Sequence, residues 1–337
     1  MDRIAKGKTA GAVLEIRGDI RYFGDMRSTA LLVCLISSLL APVFAQEGTY
    51  DFLRLDTGAR AAALNGSFVS MTDDANVLFY NPAALSTLSV SRASVGFLKH
   101  LLDVNAGHVV YGRPIEGFGT IGAGVVYVDY GSTTETDASG NILGSFGAHD
   151  LAFVAGGAIP LNAQASVGVS FKFISSTLAE YYSSALGADL GVLYVIPDQN
   201  ISLGAAVANL GTQLSSFAGA TESLPVDIRI GITKRPEHLP VLLNLNFHKL
   251  NQSGGSFADR FSAFTFGAEF LMSESVRLRV GYDNEKRREL KLENTAGLAG
   301  FAFGGGILWK DYQIDYAFNS YGKIGSLHRF SLGLALP

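Results

Sequence analysis

Cysteine is nearly missing from the 337-residue chain: Cys34 is the single one, so no disulfide framework holds it together. Charge is sparse as well, at 17% Asp, Glu, Lys and Arg, and the net charge of −4 leaves no basic footprint for nucleic acid. What is plentiful is glycine (39), phenylalanine (22) and tyrosine (13), and an apolar content of 48% excludes a disordered chain. An ordinary soluble domain carries more charge, so a membrane class is tested first.

Met26 and Arg27, the apolar run Ala30 to Leu40 and Val43-Phe44-Ala45 read as an export signal over residues 26–45 with its cleavage site, which starts the mature chain at Gln46. Residues 1–25 are charged, unpatterned and without an apolar run; they read as an upstream misassigned start, with a real cytoplasmic extension as the alternative. Cys34 follows Val33 in the middle of the apolar run, upstream of the small-residue cleavage site, and reads as apolar filler rather than a lipoprotein acylation site. Setting residues 1–45 aside removes 6 basic and 4 acidic residues and leaves 292 residues with 20 basic and 26 acidic, a net of −6 and no cysteine. Cohesion must then come from a core or from closure of a sheet.

Long uninterrupted apolar runs are also lacking in the mature chain. Residues 151–171 are free of charge and long enough to span a bilayer, but Gly156, Gly157, Pro160, Asn162 and Gln164 cut them into two short pieces around a turn. A spanning helix needs about 20 predominantly apolar residues in a row, so helices are excluded as the crossing element.

A period of two takes their place. Val276, Leu278, Val280 and Tyr282 share one face of an extended segment, with Arg277, Arg279, Gly281 and Asp283 on the other. Tyr312, Ile314, Tyr316 and Phe318 alternate in the same way with polar neighbours, as do Val226, Ile228, Ile230 and Ile232, and Phe330, Leu332, Leu334 and Leu336. About fourteen such segments follow Ser91: near 91–98, 104–113, 118–130, 148–159, 163–174, 185–196, 200–209, 225–235, 239–249, 261–272, 275–283, 297–308, 311–319 and 326–336. Most are close to the roughly 9–11 residues that a tilted strand needs to cross a bilayer. Short connections at Pro114–Gly117, Pro160–Asn162, Pro197–Gln199, Pro236–His238, Ser273-Glu274 and Trp309-Lys310 interleave with longer ones at 131–147, 175–184, 210–224, 250–260 and 284–296. Short turns on one rim and long loops on the other predict an all-β fold: a transmembrane antiparallel up-and-down barrel of about 14 strands over 91–337. A periplasmic β-sandwich or solenoid is the soluble alternative, with the same alternation pointing inward.

Hydrocarbon offers no hydrogen-bond partner, so every strand must be paired and the first must meet the last. Apolar faces then meet lipid and polar faces line the lumen. Arg277 and Arg279 on the lipid face would each cost about 2–4 kcal/mol at the midplane. They are therefore assigned inward with Asp227, Arg229, Glu269 and Asp315, and Glu269, Asp315 or Asp227 is expected to compensate the two arginines. Tyr111, Tyr127, Tyr194, Tyr282, Trp309 and Tyr312, near segment ends, suit an interfacial aromatic girdle.

Residues 46–90 lack this alternation. They hold an Ala-rich piece, Gly58 to Gly66, and an acidic piece, Asp73-Asp74, that ends in Asn81-Pro82-Ala83-Ala84, a turn signal. A segment of this kind at the end of a barrel is expected to enter the lumen as a plug. Tyr50-Asp51-Phe52-Leu53, Gly58-Ala59-Arg60-Ala61-Ala62-Ala63-Leu64-Asn65-Gly66 and Asp73 to Leu85 resemble the amino-terminal signature of the PorV/PorQ family, which is related to FadL-type fourteen-stranded barrels. Lys234-Arg235-Pro236-Glu237-His238-Leu239-Pro240 and Phe266 to Phe270, running on to Arg279-Val280-Gly281-Tyr282 and Arg287-Arg288-Glu289-Leu290, are most similar to the PorQ branch. The resemblance covers residues 48 to 336. It implies an outer-membrane component of the type IX secretion system that acts with a PorZ-like surface protein in attaching cargo bearing a carboxy-terminal domain, with Asn81, Pro82 and Ala83 as the plug motif. The ending Leu336-Pro337 departs from the terminal aromatic common in outer-membrane barrels.

Catalytic and cofactor motifs are absent. Gly117, Gly119 and Gly122 fit G-x-G-x-x-G, but a strand follows where a dinucleotide site needs a helix. His100, His108, His149, His238, His248 and His328 are dispersed, with no metal-ligand spacing, and no nucleophile elbow or phosphate loop occurs. No enzyme, metal or cofactor is expected, and outer-membrane lipid is the expected surround. Arg287 and Arg288, in a mixed-sign run, read as a solvated loop or as a contact for a partner or for anionic outer-leaflet sugars. Three functions stand: a non-enzymatic secretion component, a FadL-like conduit for hydrophobic small molecules, and a structural or enzymatic barrel of the outer-membrane lipase kind.

Overall fold

The computed structural model describes residues 48–100, 104–217, 219, 221–252, 257–291 and 297–336. The expected upstream extension and the export signal with Cys34 lie outside the described residues.

The alternating segments become strands one for one. They are β1 Ser91–Lys99, β2 Asn105–Ile115, β3 Gly119–Thr136, β4 Ile142–Pro160, β5 Ala165–Leu178, β6 Tyr181–Ile196, β7 Ile201–Ser215, β8 Asp227–Lys234, β9 Val241–Phe247, β10 Phe264–Leu271, β11 Val276–Asp283, β12 Phe301–Trp309, β13 Tyr312–Ser320 and β14 Ser326–Leu336. Each pairs antiparallel with its neighbour in sequence, and β1 meets β14 from Ser91 opposite Leu336 to Lys99 opposite His328. The closed ring leaves neither end strand unpaired, as hydrocarbon requires.

The faces are inverted relative to a water-soluble protein. On β5, Phe171 is 64% exposed, whereas its neighbour Lys172 is 5% exposed. Val95, Phe97, Val109, Ile307, Ile314, Phe330 and Leu332 are likewise exposed, while Asp189, Glu269, Arg279, Asp315 and Arg329 are buried in the lumen. A soluble sandwich would bury the first set. The chain is a membrane-spanning barrel of the outer-membrane type, with the lipid and lumen faces where the alternation put them.

Three of the expected long loops are partly strand instead, 210–224 through the continuation of β7 to Ser215. The β3–β4 ladder continues to Thr136 opposite Ile142, and β5–β6 to Leu178 opposite Tyr181, so residues 132–136, 142, 144–147, 175–178 and 181–184 are paired. Thr133, Thr134, Thr136, Tyr181 and Tyr182 favour strands. Above the bilayer both faces of a strand are wet, so no alternation marks it. The tip of the β3–β4 hairpin is closed by Asp137, whose Oδ1 accepts from Ser139 N at 2.9 Å and Asn141 N at 2.8 Å. The ring is consequently uneven: β3 to β7 have 14–19 residues and the other strands 7–11.

Residues 48–90 fold inside the ring as 3-10 turns at Asp51–Arg54, Ala75–Phe79 and Pro82–Thr87 and one short helix, α1, Ala59–Ala63. Leu64, Phe68, Leu78 and Leu85 are fully buried and share a cluster with Val110, Val154 and Leu193 of the wall. The segment starts at the mouth that carries the long connections, where Thr49 N donates to Glu222 Oε2 at 2.8 Å and the Tyr50 hydroxyl lies 2.6 Å from Ser183 Oγ. It ends at the opposite rim, where Arg92 at the start of β1 pairs with Asp73 at 2.7 Å. The chain therefore runs through the lumen from one mouth to the other before it builds the wall.

Candidate functional site

Helix α1 carries four alanines around one arginine, and the small side chains let its backbone come close to the wall: Ala59, Ala62 and Ala63 pack on Ala317 of β13, and Asn319 Nδ2 donates to Ala62 O at 2.8 Å. That approach carries Arg60 into the acidic side of the lumen. Its Nε and Nη2 donate to the two carboxylate oxygens of Glu269 at 2.9 and 2.8 Å, and Nη1 reaches Asp74 at 3.2 Å. Arg279, directly opposite Glu269 in the β10–β11 register, donates to Glu269 Oε2 at 2.5 Å and to Asp315 Oδ1 at 2.6 Å. Two cations and three carboxylates thus form one buried network joining the luminal segment to β10, β11 and β13.

Between Arg279 and Asp315 lies β12, and Gly306 makes the bridge across it feasible. A Cβ there would lie 2.4 Å from Asp315 Oδ1 and 2.8 Å from Arg279 Nη2. Any larger residue would occupy the space of the ion pair.

The structure brings together Glu269, Arg279 and Asp315 and separates the other three charges assigned inward. Asp227 pairs with Arg229 at 2.7 Å rather than with Arg277 or Arg279. Arg277 stays at the short-turn rim, where its guanidinium bonds to Ser273 O and to Val276 O. The residue that sequence reasoning missed is Arg60. It was visible as the one charge in an alanine run, yet nothing local says which carboxylate it meets.

Asn81, Pro82 and Ala83 form a second anchor. Asn81 caps its 3-10 turn by accepting from Ala83 N at 3.1 Å, and its Nδ2 donates to Val69 O at 2.8 Å and Val192 O at 3.0 Å. Pro82 sits in the first turn, where its missing N–H costs nothing. Gly168 supplies the dent for the motif, since a Cβ there would lie 2.3 Å from Ala83 N.

A cavity of about 180 Å3 lies between the luminal segment and the wall, bounded at one end by His248, Lys249, Glu285 and Lys286. Phe52, Leu55 and Phe79 give it an apolar side, and Arg229, Lys249, Glu285 and Lys286 a charged one. Glu285 and Lys286 belong to α2, Asn284–Glu289, which Asp283 caps by accepting from Lys286 N at 3.0 Å. Burial pushes the Glu285 carboxyl up, but hydrogen bonds from His248 and Lys249 prevail and hold it at about 2. Burial lowers Lys286, and Asp283 and Asp56 more than restore it, so its ammonium is held well above the usual range. Asp56 belongs to the luminal segment, 3.8 Å from Lys286, so α2 is tied to that segment as well. Arg287 is taken up by its own loop: it donates to Gly297 O at 3.1 Å and Ala299 O at 3.3 Å and lies over the Phe301 ring, while Arg288 faces solvent. Of the two arginines read as a solvated loop or as a partner contact, only Arg288 is exposed.

No family model matches this chain, and no curated protein does either. Among solved structures, the toluene transporter TodX of Pseudomonas putida is similar at 13% identity over 83% of this chain and 98% of that one, with a TM-score of 0.56. The toluene transporter TbuX of Ralstonia pickettii gives the same values, and the monoaromatic hydrocarbon channel CymD gives 12% identity, 83% and 97% coverage and a TM-score of 0.55. The likeness is one of fold, the closed β-barrel.

Proposed function

We propose that this chain is a sealed, non-enzymatic outer-membrane barrel that serves protein secretion at the cell surface, a component of the type IX secretion system acting with a PorZ-like partner in cargo attachment. The observation that carries the proposal is the lumen: the segment with the PorV/PorQ-like signature lies inside the ring, fastened to its wall by Arg60 on Glu269, while five strands run on past the length that crosses a bilayer. A barrel closed in this way is suited to holding a partner at its outer rim. Deleting the gene and following cargo with a carboxy-terminal domain tests it: cargo is expected to leave the surface for the medium, and unchanged surface display would overturn it.

A second reading has the solved structures on its side: a FadL-like conduit for hydrophobic small molecules. Its specific support is the likeness to TodX, TbuX and CymD, together with the apolar side of the 180 Å3 cavity formed by Phe52, Leu55 and Phe79. Uptake of a labelled hydrocarbon that falls on deletion, with cargo display intact, would favour it over secretion.

A further inference from the structure

Strands β9 to β12 have 7–9 residues, close to the roughly 9–11 that cross a bilayer, so their upper ends lie at the outer interface. Their lipid faces end there in a band of rings: Phe247 lies 6.3 Å from Phe264, Phe264 6.1 Å from Tyr282, Tyr282 5.2 Å from Phe301 and Phe301 6.4 Å from Phe303. Aromatic side chains favour that depth, where acyl chains give way to headgroups.

Helix α2 sits on this band, and its contacts fix the side it turns outward. The Tyr282 hydroxyl donates to Asn284 Oδ1 at 3.1 Å, and Asn284 Nδ2 donates to Ser262 O at 2.8 Å in the neighbouring 3-10 turn, Phe257–Ser262. Glu285 and Lys286 turn the other way, to Lys249 at 2.8 Å and Asp283 at 3.2 Å. Glu289, four and three residues after them, follows the same inner side, whereas Arg287 and Arg288, three and four residues after Asn284, share its outward side. Accordingly, the guanidinium carbon of Arg287 lies 5.5 Å from the centre of the Phe301 ring. Its Nη1 bonds to Gly297 O and Ala299 O and holds the group in place, while Nε and Nη2 have no hydrogen-bond partner among the described residues. Arg288 is exposed and forms no ion pair among the described residues. Asp259 and Arg260 of the neighbouring turn offset each other in charge, and Lys291 is exposed just past α2. The outward charge is thus positive, directly above rings that meet acyl chains.

Guanidinium groups suit phosphate, because their paired N–H donors match its oxygens. In the outer leaflet of an outer membrane, phosphate and acyl chains occur on one sugar-based molecule. A protein partner could reach the rings only by entering the bilayer. We infer that the outward side of α2 and the ring band beneath it form a binding site for a phosphorylated glycolipid of the outer leaflet, with Arg287 and Arg288 on a phosphate and acyl chains against Phe264, Tyr282 and Phe301. The site follows from the barrel and its membrane, whichever functional reading above holds.

The test is native mass spectrometry of the full barrel released from detergent micelles, with purified bis-phosphorylated lipid A as the probe and heat-modifiable electrophoretic mobility as the check that each variant is folded. One lipid A bound per barrel is expected at micromolar concentration. Arg288→Glu, at an exposed position, should weaken binding at least fivefold, and so should Arg287→Gln. Arg235→Gln, exposed at the short-turn rim, should leave it within twofold. Lipid A stripped of its phosphates should bind the unaltered barrel at least fivefold more weakly, and inorganic phosphate at the same concentration should not displace the intact lipid. Equal binding of the stripped lipid, equal binding to Arg288→Glu, or no lipid A bound at all would overturn the proposal. Displacement by inorganic phosphate would overturn it too, by giving the arginines to a free anion.

Discussion

Arg60 and Glu269 stand 209 residues apart in sequence and meet atom for atom, Nε to Oε2 at 2.9 Å and Nη2 to Oε1 at 2.8 Å. One partner belongs to the segment inside the ring and the other to the ring itself. Glu269 is shared with Arg279, so this carboxylate holds two buried cations at once.

Removing it should therefore be worse than removing either arginine. Glu269→Ala leaves Arg60 and Arg279 buried and under-compensated and is expected to cost about 3–5 kcal/mol, the range for breaking a buried pair from one side. Arg60→Ala leaves the Glu269–Arg279 pair intact and should act on the luminal segment. Thermal unfolding by circular dichroism should rank the two variants in that order, and Arg60→Ala should raise ion conductance in planar bilayers above wild type.

The Asn81 anchor gives a separate prediction. Asn81→Ala loses one cap bond and two bonds to Val69 and Val192, and about 1–3 kcal/mol follows from the groups left unpaired. Gly168→Ala should cost about as much by overpacking, because its Cβ meets the backbone of Pro82 and Ala83. Because the two changes act on one contact, the double variant should lose less than the sum in urea titration.

Acid should loosen α2 from the loops before it opens the barrel. Burial raises the Glu285 carboxyl, and the bonds from His248 and Lys249 bring it down to about 2 from an unfolded value of 4.5. A depressed carboxylate stabilises fully above the unfolded value, and its contribution fades as the pH drops through the folded one. Limited proteolysis within Asn284–Glu289 should therefore be slow at pH 6 and faster near pH 2, and Glu285→Gln should be cut readily at both.

The lipid face can be checked with one charge. Leu332 pairs with Val95 and Ile314 in an exposed apolar patch about half-way up the wall, and Leu332→Arg should cost about 2–4 kcal/mol in liposomes. The cost should fall to about 0–1 kcal/mol for an arginine placed near either interface.

The strand count and the lipid face were legible because a period of two is enforced wherever one side of a strand meets hydrocarbon, as along Val276 to Tyr282. Where that constraint lapses, so does the signal. Ser132 to Thr136 look like loop by composition, yet they pair with β4 in water. Glu269, Arg279 and Asp315 could be grouped from parity, since all three point inward from strands close in the ring. Arg60 could not, because Ala59–Ala63 obeys no strand period and its partner is set by how the whole segment lies in the lumen.

The path of the chain has a mechanical sequel. Thr49 and Tyr50 are held at the outer mouth, and Ser91 opens the wall at the inner rim, so the protein is threaded through its own hoop. The clasp of that hoop is the seam between the first strand and the last, which closes around the thread. A passenger domain grafted ahead of Gly48 would, by the same geometry, be delivered outdoors.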